Sequence, residues 1–325
     1  EATTLFSAPL ISFHRSQQSL EATWKYLLVC SVGIALALMG TFFFAIAAHQ
    51  VHTLLLPTLL NGATLLSVNW LKLSVIFLLV GYGCKMGLAP MHSWKPEAYG
   101  QSTGIVAALM AGALTQCSFL ALVRVSQICF KTGLSEFYSS ILIFTGILSL
   151  AVPAVLILSE RNMKRAFAYS SVEHMGILVL GLGLGGIGLF GALFHMINNA
   201  LAKAIMFLTA GSIAQKYKLS HQKEVHGVLH VYPLTGTFLI MGLLAGTGVF
   251  PFATFHSELM VLNAAVISKH YMLAAIGVVC LALMFVGIAR IVLDLVYGKP
   301  TEPTLIKKEN LAMNAAIIFA AVVLI

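Results

Sequence analysis

The stretch Gly81-Tyr-Gly-Cys-Lys-Met-Gly-Leu-Ala-Pro-Met-His-Ser-Trp94 decides how the rest of the chain is read. It sets a lysine, Lys85, inside an apolar segment that opens near Leu71, then interrupts the helical pattern with Gly83, Gly87 and Pro90. A charge in hydrocarbon costs about 2.5–3.5 kcal/mol on insertion scales. A helix broken at membrane depth persists only where protein or a watery cavity receives its freed backbone groups. A segment carrying both costs reads as an ion-handling element. At 1.5 Å per residue Lys85 lies about 21 Å into its segment, deeper than snorkelling covers, so a buried, titrating lysine is expected.

The surrounding composition is that of a polytopic membrane protein. Of 325 residues, 59% are hydrophobic and 9% charged, against about 25% charged in soluble domains. The net charge of +8 belongs to loops, and no basic run is long enough or interleaved with aromatics to suggest nucleic acid. Cys30, Cys84, Cys117, Cys129 and Cys280 are scattered without a C-x-x-C pair, which argues against a metal knuckle or a disulfide framework.

Expected spans are a partial one over Glu1–Phe13, then Tyr26–Ala48, Leu71 through Pro90 toward Gly100, Gly104–Val123, and Ser139–Ser159 with a kink at Pro153. Tyr169–Leu184, Ile187–Ala214, Tyr232–Ile267, Met272–Tyr297 and an unfinished span from Ala312 follow. The fold expected is an all-α polytopic membrane protein of about ten transmembrane helices. The missing initiator Met and the unfinished last span suggest an internal stretch of a longer protein.

Tyr232–Ile267 repeats the opening device. It breaks at Gly246-Thr-Gly-Val-Phe-Pro251 and resumes with His256 and Glu258. Paired Gly/Pro-interrupted segments point to the site in repeat-built transporters. If each broken segment crosses once, eleven loop Lys and Arg fall on one side and four on the other. A hairpin at the second break gives nine and six. The positive-inside rule favours the single crossing and places the basic loops in the cytoplasm.

Other polar groups lie inside expected spans. His195, Asn199 and Lys203 are spaced i, i+4, i+8 and line one helix face, a stripe that could serve interhelical hydrogen bonds and better fits a hydrated proton path. Glu258 reads as a partner for a lysine or an exit-side proton site, and His256 as a packing group or a relay. Glu173 and His174 open a span near the basic loop, where a capping role is as reasonable as a functional one. His92 and Glu97 follow the first break as loop groups or half-channel lining. Gln116 reads as a helix–helix hydrogen-bonding group. No nucleophile–base pair, phosphate loop or metal-ligand spacing is evident, so neither cofactor nor metal is expected.

At Gly83–Trp94, Met163-Lys-Arg-Ala-Phe-Ala-Tyr-Ser-Ser171, His174-Met-Gly176 and Phe194-His-Met-Ile-Asn-Asn-Ala-Leu-Ala-Lys203, the chain resembles the antiporter-like membrane subunits. That family is shared by respiratory complex I, membrane-bound hydrogenases and multisubunit Na⁺/H⁺ antiporters. Ser19–Ile34 looks most like the hydrogenase-4 component F branch. The resemblance implies a parent of about fourteen helices, built as two inverted five-helix repeats, with approximate halves 1–125 and 139–297 here. It makes Glu1 the acid paired with Lys85, aligns His195 and Lys203 with a central hydrophilic axis, and assigns Glu258 to the second broken helix. Three departures stand out. Gln116 occupies a position where the family often has Lys or His, Asn199 one where some relatives have His, and Lys95-Pro-Glu-Ala-Tyr99 replaces the usual Leu-Pro-Asp-Ala-His.

The function expected is proton translocation coupled to electron transfer in partner subunits of a hydrogenase- or complex I-like oxidoreductase. The site residues are Glu1, Lys85, His195, Lys203 and Glu258, with His92, Gln116, Asn199 and His256 as further path groups. Expected partners are other membrane and peripheral subunits, the lipid bilayer, and protons or Na⁺, with location in a bacterial or archaeal cytoplasmic membrane. The alternatives are a Na⁺/H⁺ antiporter subunit and a scaffold that pumps nothing, the latter favoured by the uncharged Gln116.

Overall fold

The computed structural model describes residues 2–13, 15–51, 53–217, 226–298 and 311–324. All regular structure among these residues is helical. In chain order the helices are α1 (Ala2–Ile11), α2 (Gln17–Ala47), α3 (Leu56–Asn61), α4 (Val68–Met86), α5 (Trp94–Gln101) and α6 (Gly104–Leu109). They continue as α7 (Thr115–Lys131), α8 (Ser135–Leu156), α9 (Met163–Leu184), α10 (Gly186–Lys216) and α11 (Val228–Val231). The last four are α12 (Pro233–Gly246), α13 (Ala253–Ile267), α14 (Tyr271–Tyr297) and α15 (Leu311–Leu324). A π-helical turn, Met110–Leu114, joins α6 to α7. Seven of the described helices or helix runs are long and apolar enough to cross a membrane, with shorter apolar helices beside them. The chain is an integral membrane protein.

Burial follows a membrane pattern. Phe6, Trp24, Phe42, Phe144, Phe190, Met272 and Phe319 stand exposed on the outside, where hydrocarbon is their natural solvent. Helix α9 is the axis of the bundle and is buried on almost every face. Helices α8, α10, α13, α14 and α5 pack around it, while α2 and α4 pair along their length on one flank. Gly176 of α9 lies against the backbone of α8, and Gly181 against that of α10.

Two helix starts differ most from expectation, both because a polar cap lies further upstream than the apolar run. Asn162 accepts from the backbone N–H groups of Lys164 and Arg165, so α9 begins at Met163 rather than Tyr169. Ser16 caps α2 in the same way, and that helix begins at Gln17 rather than Tyr26. A side-chain acceptor at the N-cap satisfies donors that the first turn leaves open.

Both expected breaks are present, and each answers its freed backbone groups with protein. Helix α4 ends at Gly87 in the left-handed region, φ 70°, with Leu88 N–H donating to Gly83 O at 2.9 Å. Ser149 of α8 accepts from Ala89 N–H at 3.0 Å, and the Trp94 indole donates to Cys84 O at 2.9 Å. At the second break, Thr254 Oγ1 donates to Ala245 O at 2.7 Å and Asn198 donates to Ala253 O at 3.0 Å. Gly246 O receives His174 Nε2 at 2.9 Å and Ser170 Oγ at 3.3 Å. The peptides before Pro90 and Pro251 are both cis.

Near one end of the bundle, ion pairs run Glu21–Lys25–Glu97–Arg165–Glu160, at 2.8, 3.1, 3.6 and 2.9 Å, and tie α2, α5 and α9 together. Glu97 is therefore a bridging group of this string. Each exposed pair contributes little alone. Glu160 is the best held of them. Partial burial opposes its charge, but the backbone N–H of Asn162, the Arg165 side chain and the backbone N–H of Arg161 outweigh this and hold its carboxyl below the usual range.

Candidate functional site

The polar side chains gather at the two breaks. In the last turn of α4, half-buried Lys85 donates to Thr4 of α1 and, at 3.3 Å, to the hydroxyl of Tyr26 on α2. Tyr26 shares a 2.6 Å hydrogen bond with Ser7. Lys85 thus sits in a pocket of hydroxyls, with its ammonium 5.4 Å from the centre of the Tyr26 ring. The acid expected beside it, Glu1, lies outside the described residues. His92 falls in the turn before α5, partly exposed, with Nδ1 unpartnered.

At the second break, Lys203 is fully buried on α10 and donates to Ser170 Oγ of α9 at 2.6 Å. His195, two turns earlier on the same face of α10, stacks on His174 of α9 with ring centroids 5.0 Å apart. His195 Nε2 and His174 Nδ1 share a hydrogen bond at 2.8 Å, and His195 Nδ1 meets Ser257 Oγ of α13 at 2.8 Å. Glu258 is 5% exposed and rests on Gly248, where its Oε1 has no hydrogen-bond partner and lies 3.8 Å from His174 Nδ1. Gly248 has φ 59°, a conformation that glycine adopts without strain, and any Cβ there would meet the Glu258 carboxylate.

The donors along this chain can be counted. Gly246 O only accepts, so His174 Nε2 carries a hydrogen. Neutral His174 then accepts at Nδ1, and His195 must donate from Nε2. If His195 is neutral as well, its Nδ1 takes the single hydroxyl hydrogen of Ser257, which then does not serve Thr254 O, also 2.8 Å from Ser257 Oγ. With one further proton on the imidazole pair, every bond from Gly246 O through His174, His195 and Ser257 to Thr254 O has one donor and one acceptor. The unpartnered Glu258 Oε1 is the carboxyl oxygen that faces the pair, 3.8 Å from His174 Nδ1. Ligand atoms of His174, His195 and Glu258, one from each, also lie within 4.8 Å of one another, a spacing that could hold a metal ion. In the structure the two imidazoles already spend their facing atoms on each other.

Several expectations change. His174 and Glu173 do not cap a helix end. Both are 1% exposed inside α9, because that helix starts two turns earlier than its apolar run implies. Asn199 is fully buried, with both amide atoms unpartnered, beside Lys203 on α10. Gln116 is buried just past the π turn, its amide also without a partner. His256 does not join the group. Two residues along a helix turn the side chain by roughly 200°, so with Glu258 facing inward His256 faces outward, exposed between Phe250 and Phe255. Lys95, passed over in the sequence, is fully buried beneath the first break.

The chain is similar in sequence and fold to known proteins. The family model described as "NADH:quinone oxidoreductase/Mrp antiporter, TM" matches residues 1–284. A hydrogenase-4 component F homolog of Methylacidiphilum infernorum is 33% identical over 310 residues, 93% of this chain and 64% of that protein. The chain therefore spans less than two thirds of that relative. Among solved structures, a chain of respiratory complex I from Thermus thermophilus superposes with a TM-score of 0.80 at 26% identity, covering 99% of this chain and 69% of that one. A chain of the Mrp complex from Dietzia sp. gives 0.85 at 19% identity, covering 95% and 65%, a likeness of fold. The match over most of its length shows that the chain belongs to the NADH:quinone oxidoreductase/Mrp antiporter transmembrane family.

Proposed function

We propose that this chain moves protons through the membrane arm of a hydrogenase- or complex I-like oxidoreductase, with electron transfer carried by partner subunits. The observation that carries the reading is the pair of broken helices, each with an ionisable group at its break inside an apolar bundle. Lys85 serves the first and Glu258 the second. Lys203, His195 and His174 form the buried polar axis beside the second break. The imidazole pair can take up one proton without a donor clash, and the ionisable groups Lys203 and Glu258 flank it. The two broken segments stand as counterparts in repeat halves near residues 1–125 and 139–297. The membrane is the cytoplasmic membrane of a bacterium or archaeon.

In this scheme Lys85 is the switching group, held by Thr4 and Tyr26 when charged, with Glu1 as its acid. Separating such a pair from 4 Å costs about 4 kcal/mol at an effective dielectric of 20, enough to send a proton onward. The test is Lys85→Met in the full-length protein within its complex, reconstituted in vesicles. Proton movement is expected to vanish while the complex still assembles. Unchanged proton movement refutes the reading.

A further inference from the structure

The first break carries a second lysine that the path just described does not use. Lys95 opens α5 immediately after Trp94 and is completely buried. Its stem lies across the end of α4. A Cβ placed on Gly87 would come within 2.6 Å of Lys95 Cδ, 2.7 Å of Cε and 3.0 Å of Cγ. Its ammonium crosses to α9 and donates to Ser171 Oγ at 3.2 Å and Ser171 O at 3.3 Å. Both acceptors belong to one residue and both bonds are long. Among the described residues no carboxylate pairs with it. Its titratable neighbours are Cys30, His92, His174 and Lys203.

Its place in the bundle is specific. The adjacent residue of α9, Ser170, holds Lys203. On the other side, Trp94 packs against Tyr26 at 5.1 Å, the tyrosine that holds Lys85. Lys95 thus stands between the Lys85 pocket and the Lys203 pocket, with one backbone step to each. A buried, unpaired ammonium is costly, and packing against Gly87 needs only the stem, which a methionine would supply. The charge itself therefore requires a use. Gln116 of α7, a position where the resemblance implies a charged group, holds a buried neutral amide with no partner.

We propose that Lys95 is the proton-carrying group that links the Lys85 and Lys203 sites, doing from α5 what Gln116 is unable to do from α7. The proposal rests on the proton-translocation reading, and its test separates the two. Lys95→Met, Lys95→Arg, Lys85→Met and the double variant Lys95→Met/Gln116→Lys are compared in the full-length protein within its complex, in the same vesicles, with assembly checked for each. Lys95→Met is expected to lose proton transfer as completely as Lys85→Met. Lys95→Arg keeps charge and donors but does not give up a proton, and it is expected to fail too. Gln116→Lys is expected to restore transfer in the Lys95→Met background, which a remote lysine would not do for a packing defect.

Normal transfer in Lys95→Met alongside loss in Lys85→Met overturns the proposal and leaves the broader reading intact. Normal transfer in Lys85→Met refutes the broader reading and this proposal with it. A double variant that stays at the Lys85→Met level overturns the claim that Lys95 fills the place of the missing charge. Should Lys95→Met not assemble, the comparison passes to Lys95→Arg, where assembly with normal transfer overturns the proposal.

Discussion

Replacing Gly87 by alanine tests the geometry of the first break against a control within the same chain. Gly87 and Gly133 both follow helix ends with left-handed backbone, φ 70° and 76°, and both are followed by a residue whose N–H reaches back across the last turn. An alanine at either position carries the left-handed penalty of roughly 1–2 kcal/mol. At Gly133 nothing lies within 4 Å of the added Cβ, so that penalty is the whole effect. At Gly87 the Cβ meets three carbons of the Lys95 stem. Lys95 is fully buried, and displacing a packed side chain adds about 1–3 kcal/mol. Gly87→Ala should therefore destabilise by about 2–5 kcal/mol, summing the strain and overpacking costs. Denaturant titration of the purified full-length protein in detergent, followed by helical circular dichroism, should show a midpoint loss for Gly87→Ala about twice that for Gly133→Ala. A second arm removes the clash by combining Gly87→Ala with Lys95→Ala, in which the Gly87 substitution should cost no more than it does at Gly133. Equal losses for the two single variants, or no relief from Lys95→Ala, would refute the packing of Lys95 across the break.

Ser170→Ala removes the hydroxyl that holds Lys203, a charge-assisted bond worth about 1.5–3 kcal/mol, and should slow proton transfer in vesicles roughly tenfold or more at about 1.4 kcal/mol per factor of ten. Wild-type rates would show that Lys203 does not depend on that bond. His174→Ala should abolish transfer, whereas exposed His256→Ala should leave it unchanged; a loss in His256→Ala would place a path outside the buried group. Glu160 contributes to stability with a definite sign. Its folded-state carboxyl titrates below the ordinary value of 4.5, so its contribution is complete above that value and fades as pH falls through the folded one. Glu160→Gln should remove this acid-side decline from a stability–pH curve, and an unaltered curve would contradict it.

The sequence carried the membrane class, the two breaks and the i, i+4, i+8 stripe of α10, because each rests on local pattern: apolar length, Gly/Pro interruption and helical period. The buried content of α9 was harder to read. Its apolar run begins at Tyr169, but the helix is started by Asn162, and those extra residues carry Glu173 and His174 from an apparent helix end into the bundle. Reading Asn162 as a cap would have found them. The hydrogen-bond chain from Gly246 to Thr254 joins α12, α9, α10 and α13, a juxtaposition made by packing and invisible to spacing. Lys95 was hidden for a different reason. It sits in a polar-looking stretch, Trp94–Gly100, whose mean character says loop, while the backbone folds that stretch under the break.

The lengths of the broken halves carry an electrical consequence. Helices α12 and α13 have 14 and 15 residues, about 21 and 22 Å at 1.5 Å per residue, against a hydrocarbon thickness of roughly 30 Å. Neither half crosses alone, so the junction between them stands well inside the bilayer, as does Lys203 near the middle of the 31-residue α10. A unit charge crossing the whole membrane potential gains or loses about 2.3 kcal/mol per 100 mV. A proton entering from one face and stopping halfway feels about half of this, ~1.2 kcal/mol per 100 mV. That changes its occupancy by a factor of about seven, at 1.4 kcal/mol per decade. On the proton-moving function proposed above, the breaks would make the protein a voltmeter as well as a conduit: the membrane potential that proton movement builds would act back, step by step, on the proposed sites.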